Sequence, residues 1–447
     1  LAAVLDVPTR PEVNATARGV VTALVETDLR WLIVFDNVEQ PSDLTEWLPR
    51  NGSGHVIITS RHTGWSYLGS TLEVDVLDPG AATRLLRDRA PGTDVPTARQ
   101  IVELLGCLPL AIEQAAGYLW ATGITASDYL RLLTTRGEAL LAAGHVPGYE
   151  HTLATVWDLS QASLRIASPA GEHLLRLCAF LGPEPIPLWL FTAHPDLLPE
   201  PLRDAVTDEL SFNSAVGALL TQSLARRSAD GNTITVHRLL AAAVRRRLST
   251  SDRESAGGTV RALLHRHLPG QIRYAPHNWP IWRAFLPHVL AATRAPSSDI
   301  NDRDRTAWLL DVAGVYLGQI GQRGEALAVS EEAVYLYREL VAVDRGAYLP
   351  DLAAALNNYA ARLAEMGLPE QAFVTIEEAV AIYRRLAEEH PGAFLPDLAA
   401  SLNNLSLRLA GLGRREEAFV AIEEAVAIRR RLAEEHPGAF LPDLAAS

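Results

Sequence analysis

The chain has 447 residues, 48% of them hydrophobic, and a formal net charge of −13 from 53 acidic and 40 basic residues. That length predicts several domains rather than one core, and the acidic balance argues against wholesale binding of nucleic acid or other polyanions. All the basic residues are Arg. Without a Lys, no standard phosphate-cradling loop, a glycine-rich turn closed by Lys and Ser or Thr, can lie within these residues. The two cysteines, Cys107 and Cys178, sit in apolar contexts with no metal-ligand spacing and read as buried thiols of a reducing compartment. No uncharged apolar stretch reaches the ~18 residues of a membrane span. A soluble, cytoplasmic protein with no membrane partner is expected, and the chain begins with Leu and stops inside a repeat, so both ends read as cut.

Residues 1–80 read as the C-terminal part of an α/β domain. A short amphipathic helix, Ala17–Val25, precedes three β-rich runs: Trp31–Phe35, His55–Thr59 and Leu72–Val76. Their near-continuous Val, Ile and Leu content predicts strands buried on both faces of a parallel sheet. The segment QPSDLTEWLP between the first two predicts a helical crossover. Residues 81–148 turn helical, with apolar residues at three-to-four spacing in ATRLLRDRA, TARQIVELLG and LAIEQAAGYLWATG. Residues 149–250 combine helices with a hairpin, LARRS and TITVH joined by the tight-turn signal DGN at 230–232. Helices closed by a small hairpin describe a winged helix. Residues 251–305, with Trp279 and Trp282, read as a helical connector.

From residue 306 to the end the chain repeats with a period of 46. Leu349-Pro350-Asp351 recurs as Leu395-Pro396-Asp397 and Leu441-Pro442-Asp443, and Gly321, Gly367 and Gly413 fall on one position. Each unit predicts a helix ending at Gly, a short turn and a longer helix, hence an all-α helical-hairpin solenoid. It resembles the tetratricopeptide repeat in a long form, with the extra length expected in the second helix and the EEHPGAFLPD connection. Asn357-Asn358 and Asn403-Asn404 recur on the first helix of successive units, whereas the first unit has Asp311-Val312 there. Such a ladder of amides either pairs with the backbone of a peptide on the concave face or bonds between helices.

Three motifs stand in a fixed order. LIVFDN delivers Asp36 to the carboxyl end of a strand, where open α/β folds bind ligands; a carboxylate there can hold magnesium through water. VIITSRH ends a second strand in Arg61, a side chain that can reach a terminal phosphate. GCLPLA starts a helix with Pro109 near its first turn. Further on, TVHRLL sets His237 at a strand-to-helix junction, where its ring can donate to a phosphate oxygen. Each motif alone has an ordinary structural reading: a turn-forming Asp-Asn, a surface Arg, helix punctuation, a structural His.

In this order, followed by a winged helix and repeats, the chain resembles the NB-ARC class of STAND ATPases. The resemblance covers residues 1–250 and implies a truncated P-loop-type nucleotide domain, a helical domain, a winged helix and a tetratricopeptide array that senses a protein or peptide partner. By it, Asp36 corresponds to the Walker B acid, Arg61 to the sensor arginine of the γ-phosphate, Pro109 to the proline packed on adenine, and His237 to the histidine at the β-phosphate of ADP. It further implies ADP or ATP with magnesium in the longer parent, none held by this stretch alone, and assembly of several copies on activation. Asn37 replaces the second acid and cannot act as general base, which implies at most slow hydrolysis. Arg238 follows His237 where the plant pattern has Asp. Two other readings compete: a scaffold with a degenerate ATPase, and a transcription regulator using Arg226, Arg227 and Arg245–Arg247 on DNA.

Overall fold

The computed structural model describes residues 2–8, 13–36, 38, 41–44, 47–49, 51–60, 65, 67–143, 153–273 and 275–435. It divides into two compact units, Leu1–Ala179 with Pro185–Arg247 and Phe180–Glu184 with Leu248–Ser447. The architecture is mostly helical with few strands. Arg61, Asn37, Glu39 and the last Leu-Pro-Asp lie outside the described residues.

The first unit opens with helix α1 (Val13–Glu26) and a parallel strand pair, β1 (Leu32–Phe35) and β2 (His55–Ile58), with Leu32 opposite His55 and Phe35 opposite Ile58. Trp31 ties the pair to α1: its indole N–H donates to the Leu24 carbonyl at 2.8 Å. The ring lies over Gly54, where a Cβ would sit 1.9 Å from it, so the close approach requires glycine.

Three expectations fail in this region. The strands are not buried on both faces: Leu32, Val34 and Ile57 are 59%, 56% and 50% exposed, because among the described residues nothing packs on that side. The crossover contains a 3₁₀ turn over Pro41–Leu44 rather than a described helix. The run Leu72–Val76 forms no strand. Its alternation puts Leu72 and Val74 into solvent, while Glu73 and Asp75 are held in ion pairs by Arg226.

Four helices follow: α2 (Pro79–Arg89), α3 (Val95–Leu104), α4 (Pro109–Thr122) and α5 (Ala126–Ala143). Asp78 and Asp94 cap the first two by accepting from backbone N–H groups of the first turn, and Pro79 and Pro96 lie in those first turns, where a missing N–H costs nothing. Leu86, Ile101, Ile112 and Tyr129 meet in one core. Burying each aliphatic side chain there contributes about 1.5–3 kcal/mol.

Next come α6 (Leu153–Ala167) and α7 (Pro169–Cys178), then strand β3 (Ile186–Pro187), α8 (Trp189–Thr192), α9 (Leu202–Thr207) and α10 (Glu209–Thr221). The unit ends with β4 (Arg226–Arg227), β5 (Thr233–Thr235) and α11 (Arg238–Arg247). The hairpin expected from DGN is present, with Gly231 at φ +75°. A third strand joins it antiparallel, giving the order β3-β5-β4.

The second unit begins with α12 (Thr250–His267) and α13 (Trp279–Thr293) and continues as three helical hairpins. These are α14 (Ile300–Gln319) with α15 (Arg323–Val343), α16 (Arg345–Glu365) with α17 (Pro369–Glu389), and α18 (Pro391–Gly411) with α19 (Arg415–Glu435). Gly321, Gly367 and Gly413 adopt φ +81°, +76° and +77° at the turns, the left-handed conformation that ends a helix most cheaply at glycine. The EEHPGAFLPD stretch is not a connection. Only His390 separates the flanking helices, and Pro391 starts the next one, with Pro396 inside it. The period of 46 is met by helices of 21 residues joined by very short linkers. The core is Leu and Ala at the helix crossings, with Leu356, Ala379, Leu402 and Ala425 all but fully buried.

Candidate functional site

Asp36 follows β1 directly and Thr59 follows β2, so the parallel register brings the two ends together. The Thr59 hydroxyl donates to Asp36 Oδ1 at 2.5 Å. The carboxylate is exposed at the carboxyl edge of the pair, with no second described acid beside it. Among the described residues no group of three His, Cys, Asp or Glu side chains is arranged to hold a metal ion. A lone exposed carboxylate fits magnesium only as a water-mediated ligand.

The turn before Pro109 has an unusual backbone. Gly106 and Cys107 stand in succession at φ +65° and +55°. The second value is strained for a residue with a side chain, by about 1–2 kcal/mol. The turn is held on both sides: Cys107 N–H donates to the Val102 carbonyl at 2.9 Å, and the Cys107 carbonyl accepts from Leu77 at 3.1 Å. Pro109 then opens α4 with its ring exposed. Both thiols are buried and unbridged, and burial pushes both pKa values up.

His237 sits between β5 and α11, at the expected junction, and its ring lies on Gly106. A Cβ on that glycine would come within 2.3 Å of His237 Nε2. Nδ1 accepts from the Leu239 N–H at 3.3 Å, so the proton of the neutral ring belongs on Nε2, which faces the Gly106 backbone. Burial pushes the His237 pKa down, against a hydrogen bond with Gly106 that raises it. Leu239, two residues after His237, joins the core of α2–α5. The structure thus joins the Gly106–Pro109 turn to His237, and Asp36 to Thr59. Arg61 is not described. Sequence reasoning missed Gly106 as the partner of His237; a glycine obliged to take positive φ beside a motif proline was the available signal.

The arginines of the DNA-binding alternative are engaged within the unit. Arg226 binds Asp75 at 2.6 Å and Glu73 at 2.8 Å. Arg227 donates to the Gly231 carbonyl, and Arg245 to the Ala179 carbonyl.

In the second unit the repeated amides bond to one another across repeats. Asn404 Nδ2 donates to Asn357 Oδ1 at 2.9 Å, and Asn358 Nδ2 donates to both oxygens of Asp311 at 3.0 and 3.2 Å. Asp311 therefore supplies the acceptor that Asn357 supplies one unit later. Burial pushes its pKa up to about 6, partly offset by the Asn358 hydrogen bond.

Comparison with known proteins gives matches over both halves. A family model described as tetratricopeptide repeat matches residues 352–392 and 398–438, and one described as a domain of unknown function matches 162–253. A nucleotide-binding leucine-rich repeat (NLR)-like protein from Hyaloscypha variabilis is 24% identical over 367 residues, 74% of this chain. The chain spans only 35% of that relative's length. Among solved structures, the STAND protein PH0952 from Pyrococcus horikoshii, with a tetratricopeptide repeat sensor, is 14% identical over 96% of this chain and 66% of its own, with a TM-score of 0.21. MamA is 15% identical over 41% of this chain and 92% of its own, with a TM-score of 0.23. Scores that low place no element of this chain. Among the described residues no helix is long and apolar enough to cross a membrane.

Proposed function

We propose that this chain, which is of the NB-ARC/STAND type with C-terminal tetratricopeptide repeats, serves in a nucleotide-dependent signalling switch whose repeats bind a protein partner. Residues 81–148 are read as its helical domain and 149–250 as its winged helix. The observation that carries the reading is the seat of His237 on Gly106, because it links a residue of the hairpin region to the turn that introduces Pro109.

ADP or ATP with magnesium would supply a polyphosphate whose charge differs between the two states of the switch. Asp36 would hold the metal through water, and Pro109 would lie against the base. His237 donates one proton from Nε2, and in the closed arrangement that proton faces the Gly106 backbone. A phosphate oxygen competing for the same N–H would loosen the seat. The ligand can then bias the fold only by its different affinity for the seated and unseated ring. Asn37 in place of a second acid argues for slow hydrolysis at most.

The test uses the natural gene product expressed whole. Bound nucleotide is released by denaturation and identified by chromatography. ADP retained by the wild type and lost from His237→Ala is the expected result. A wild type that carries and binds no purine nucleotide would remove the nucleotide reading and leave a scaffold built on the repeats. The DNA-regulator reading has no support of its own once Arg226 is bound by two carboxylates.

A further inference from the structure

Residues 72–77 are fastened to the rest of the first unit at two points. Arg226 of β4 holds both acids, Asp75 through one terminal nitrogen at 2.6 Å and Glu73 through the other at 2.8 Å. Two residues after Asp75, the Leu77 N–H donates to the Cys107 carbonyl at 3.1 Å. Arg226 in turn pairs with Thr235 across the hairpin. Thr235 stands two residues before His237, whose ring rests on Gly106. The contacts therefore close a ring: hairpin to acids, acids along the chain to Leu77, Leu77 to the Gly106–Cys107 turn, and that turn back to the hairpin through His237.

The ring has a mechanical consequence. Two residues separate Asp75 from Leu77, an extended reach of at most ~7 Å. The hairpin is held by its own ladder, and the turn by the bond from Cys107 to the Val102 carbonyl. The hairpin cannot carry His237 far from Gly106 while Arg226 keeps its carboxylates and Leu77 keeps the Cys107 carbonyl.

Of these links the ion pairs are the ones open to solvent. The side chains of Arg226, Glu73 and Asp75 are 56%, 75% and 55% exposed. Salt screens such charges over a length of about 10 Å at 0.1 M and about 3 Å at 1 M. An isolated exposed pair contributes little, whereas a fixed network contributes more. Here one guanidinium spans two carboxylates. Asp75 is also oriented from its own backbone, accepting from the Val76 N–H at 2.7 Å, and that bond and Arg226 hold its pKa down. The neighbouring Arg227 goes elsewhere, to the Gly231 carbonyl and Asn213. Leu72 and Val74 meanwhile stand 87% and 89% exposed. The segment turns its acids to Arg226 and its apolar side to water, the reverse of what burial alone selects.

We propose that Arg226 with Glu73 and Asp75 is an ionic latch that keeps His237 seated on Gly106, so that the closed arrangement of the first unit loosens as ionic strength rises. The latch rests on the reading of the first unit as a switch and adds to it a control that acts without nucleotide.

The experiment reacts the whole 447-residue chain, without nucleotide, with diethylpyrocarbonate near neutral pH. Acylation of His237 is followed by mass spectrometry relative to the exposed His277, with thermal unfolding of each variant alongside. An unseated ring reacts faster. The wild-type ratio should rise about threefold between about 0.05 and 1 M NaCl. At low salt Arg226→Gln should raise it about threefold and remove the salt response, and Arg226→Glu about tenfold. Arg226→Glu combined with Glu73→Arg and Asp75→Arg should return to within about twofold of wild type. Arg99→Gln, which breaks an exposed pair with Glu103 near the same turn, should change it less than about twofold. Three results overturn the latch: a wild-type ratio unmoved by salt; Arg226→Gln reacting like Arg99→Gln; or a charge-swapped chain as reactive as Arg226→Glu. The salt series uses the wild type alone, so it decides even if a variant does not fold. A whole gene product that binds no purine nucleotide removes the switch reading, which these rates do not measure.

Discussion

The two units build their polar contacts in different ways. In the repeats two contacts are made again one period later. Arg338 with Glu378 and Arg384 with Glu424 are the same 40-residue ion pair one period apart, and Asn358 with Asp311 and Asn404 with Asn357 are the same 47-residue hydrogen bond. In the first unit the polar contacts include one that joins segments far apart in the chain and has no repeat elsewhere: Arg226 meets Asp75 from 151 residues away. A solenoid contact can be read from the period, because each helix meets only its neighbours. A single long-range contact leaves no such trace.

Glycine substitutions sharpen this difference most. Gly106→Ala puts a methyl against the His237 ring and strains a positive φ, and the first unit should lose about 2–3 kcal/mol in chemical denaturation. Gly367→Ala meets nothing within 4 Å and carries only the backbone strain. It should cost about 1 kcal/mol in the second unit. Equal losses at the two sites would remove the claim that His237 is seated on Gly106.

Asp311→Asn repairs the irregular first rung of the amide ladder. The folded carboxyl has a pKa raised to about 6, above its unfolded value, so its contribution favours the fold at low pH and is lost as pH rises through about 6. Asn keeps an acceptor for Asn358 without the charge. The repeats should gain about 1–2 kcal/mol at pH 8 and almost nothing at pH 4; a gain of equal size at both pH values would contradict the buried carboxylate.

His237 predicts the opposite slope in the first unit. Its folded pKa is lowered, so its contribution is complete above the unfolded value of about 6.5 and is lost as pH falls below it. Melting of the first unit followed between pH 7.5 and 5.5 should show this loss, and His237→Gln should flatten it. The smallest expected effect is Arg384→Gln, which breaks an exposed pair and should change stability by less than about 0.5 kcal/mol.

The repeats were legible almost to the residue. Leu and Ala at helical spacing, Gly at each turn and a period of 46 specify hairpins whose cores are local. Two points were misread: the second helix of each unit is not longer, since α16 to α19 each have 21 residues, and EEHPGAFLPD is helical, because Pro at a first helical turn looks like a loop signal until the helix around it is seen. The β-rich runs of the first unit were legible as strands only where a partner existed. Trp31–Phe35 and His55–Thr59 pair, whereas Leu72–Val76, in which Glu73 and Asp75 alternate with Leu and Val, forms no ladder and places both acids on Arg226.

By itself, then, the sequence determined where the helices run, where they turn and which motifs stand in which order, because these depend on neighbours within a few residues or one period. Tertiary structure alone decided which side chains meet: His237 on Gly106, Glu73 and Asp75 on Arg226, Arg362 over Gly318. Such contacts depend on close approach between backbones far apart in the chain, and on glycines whose missing side chains become visible only when something fills the space.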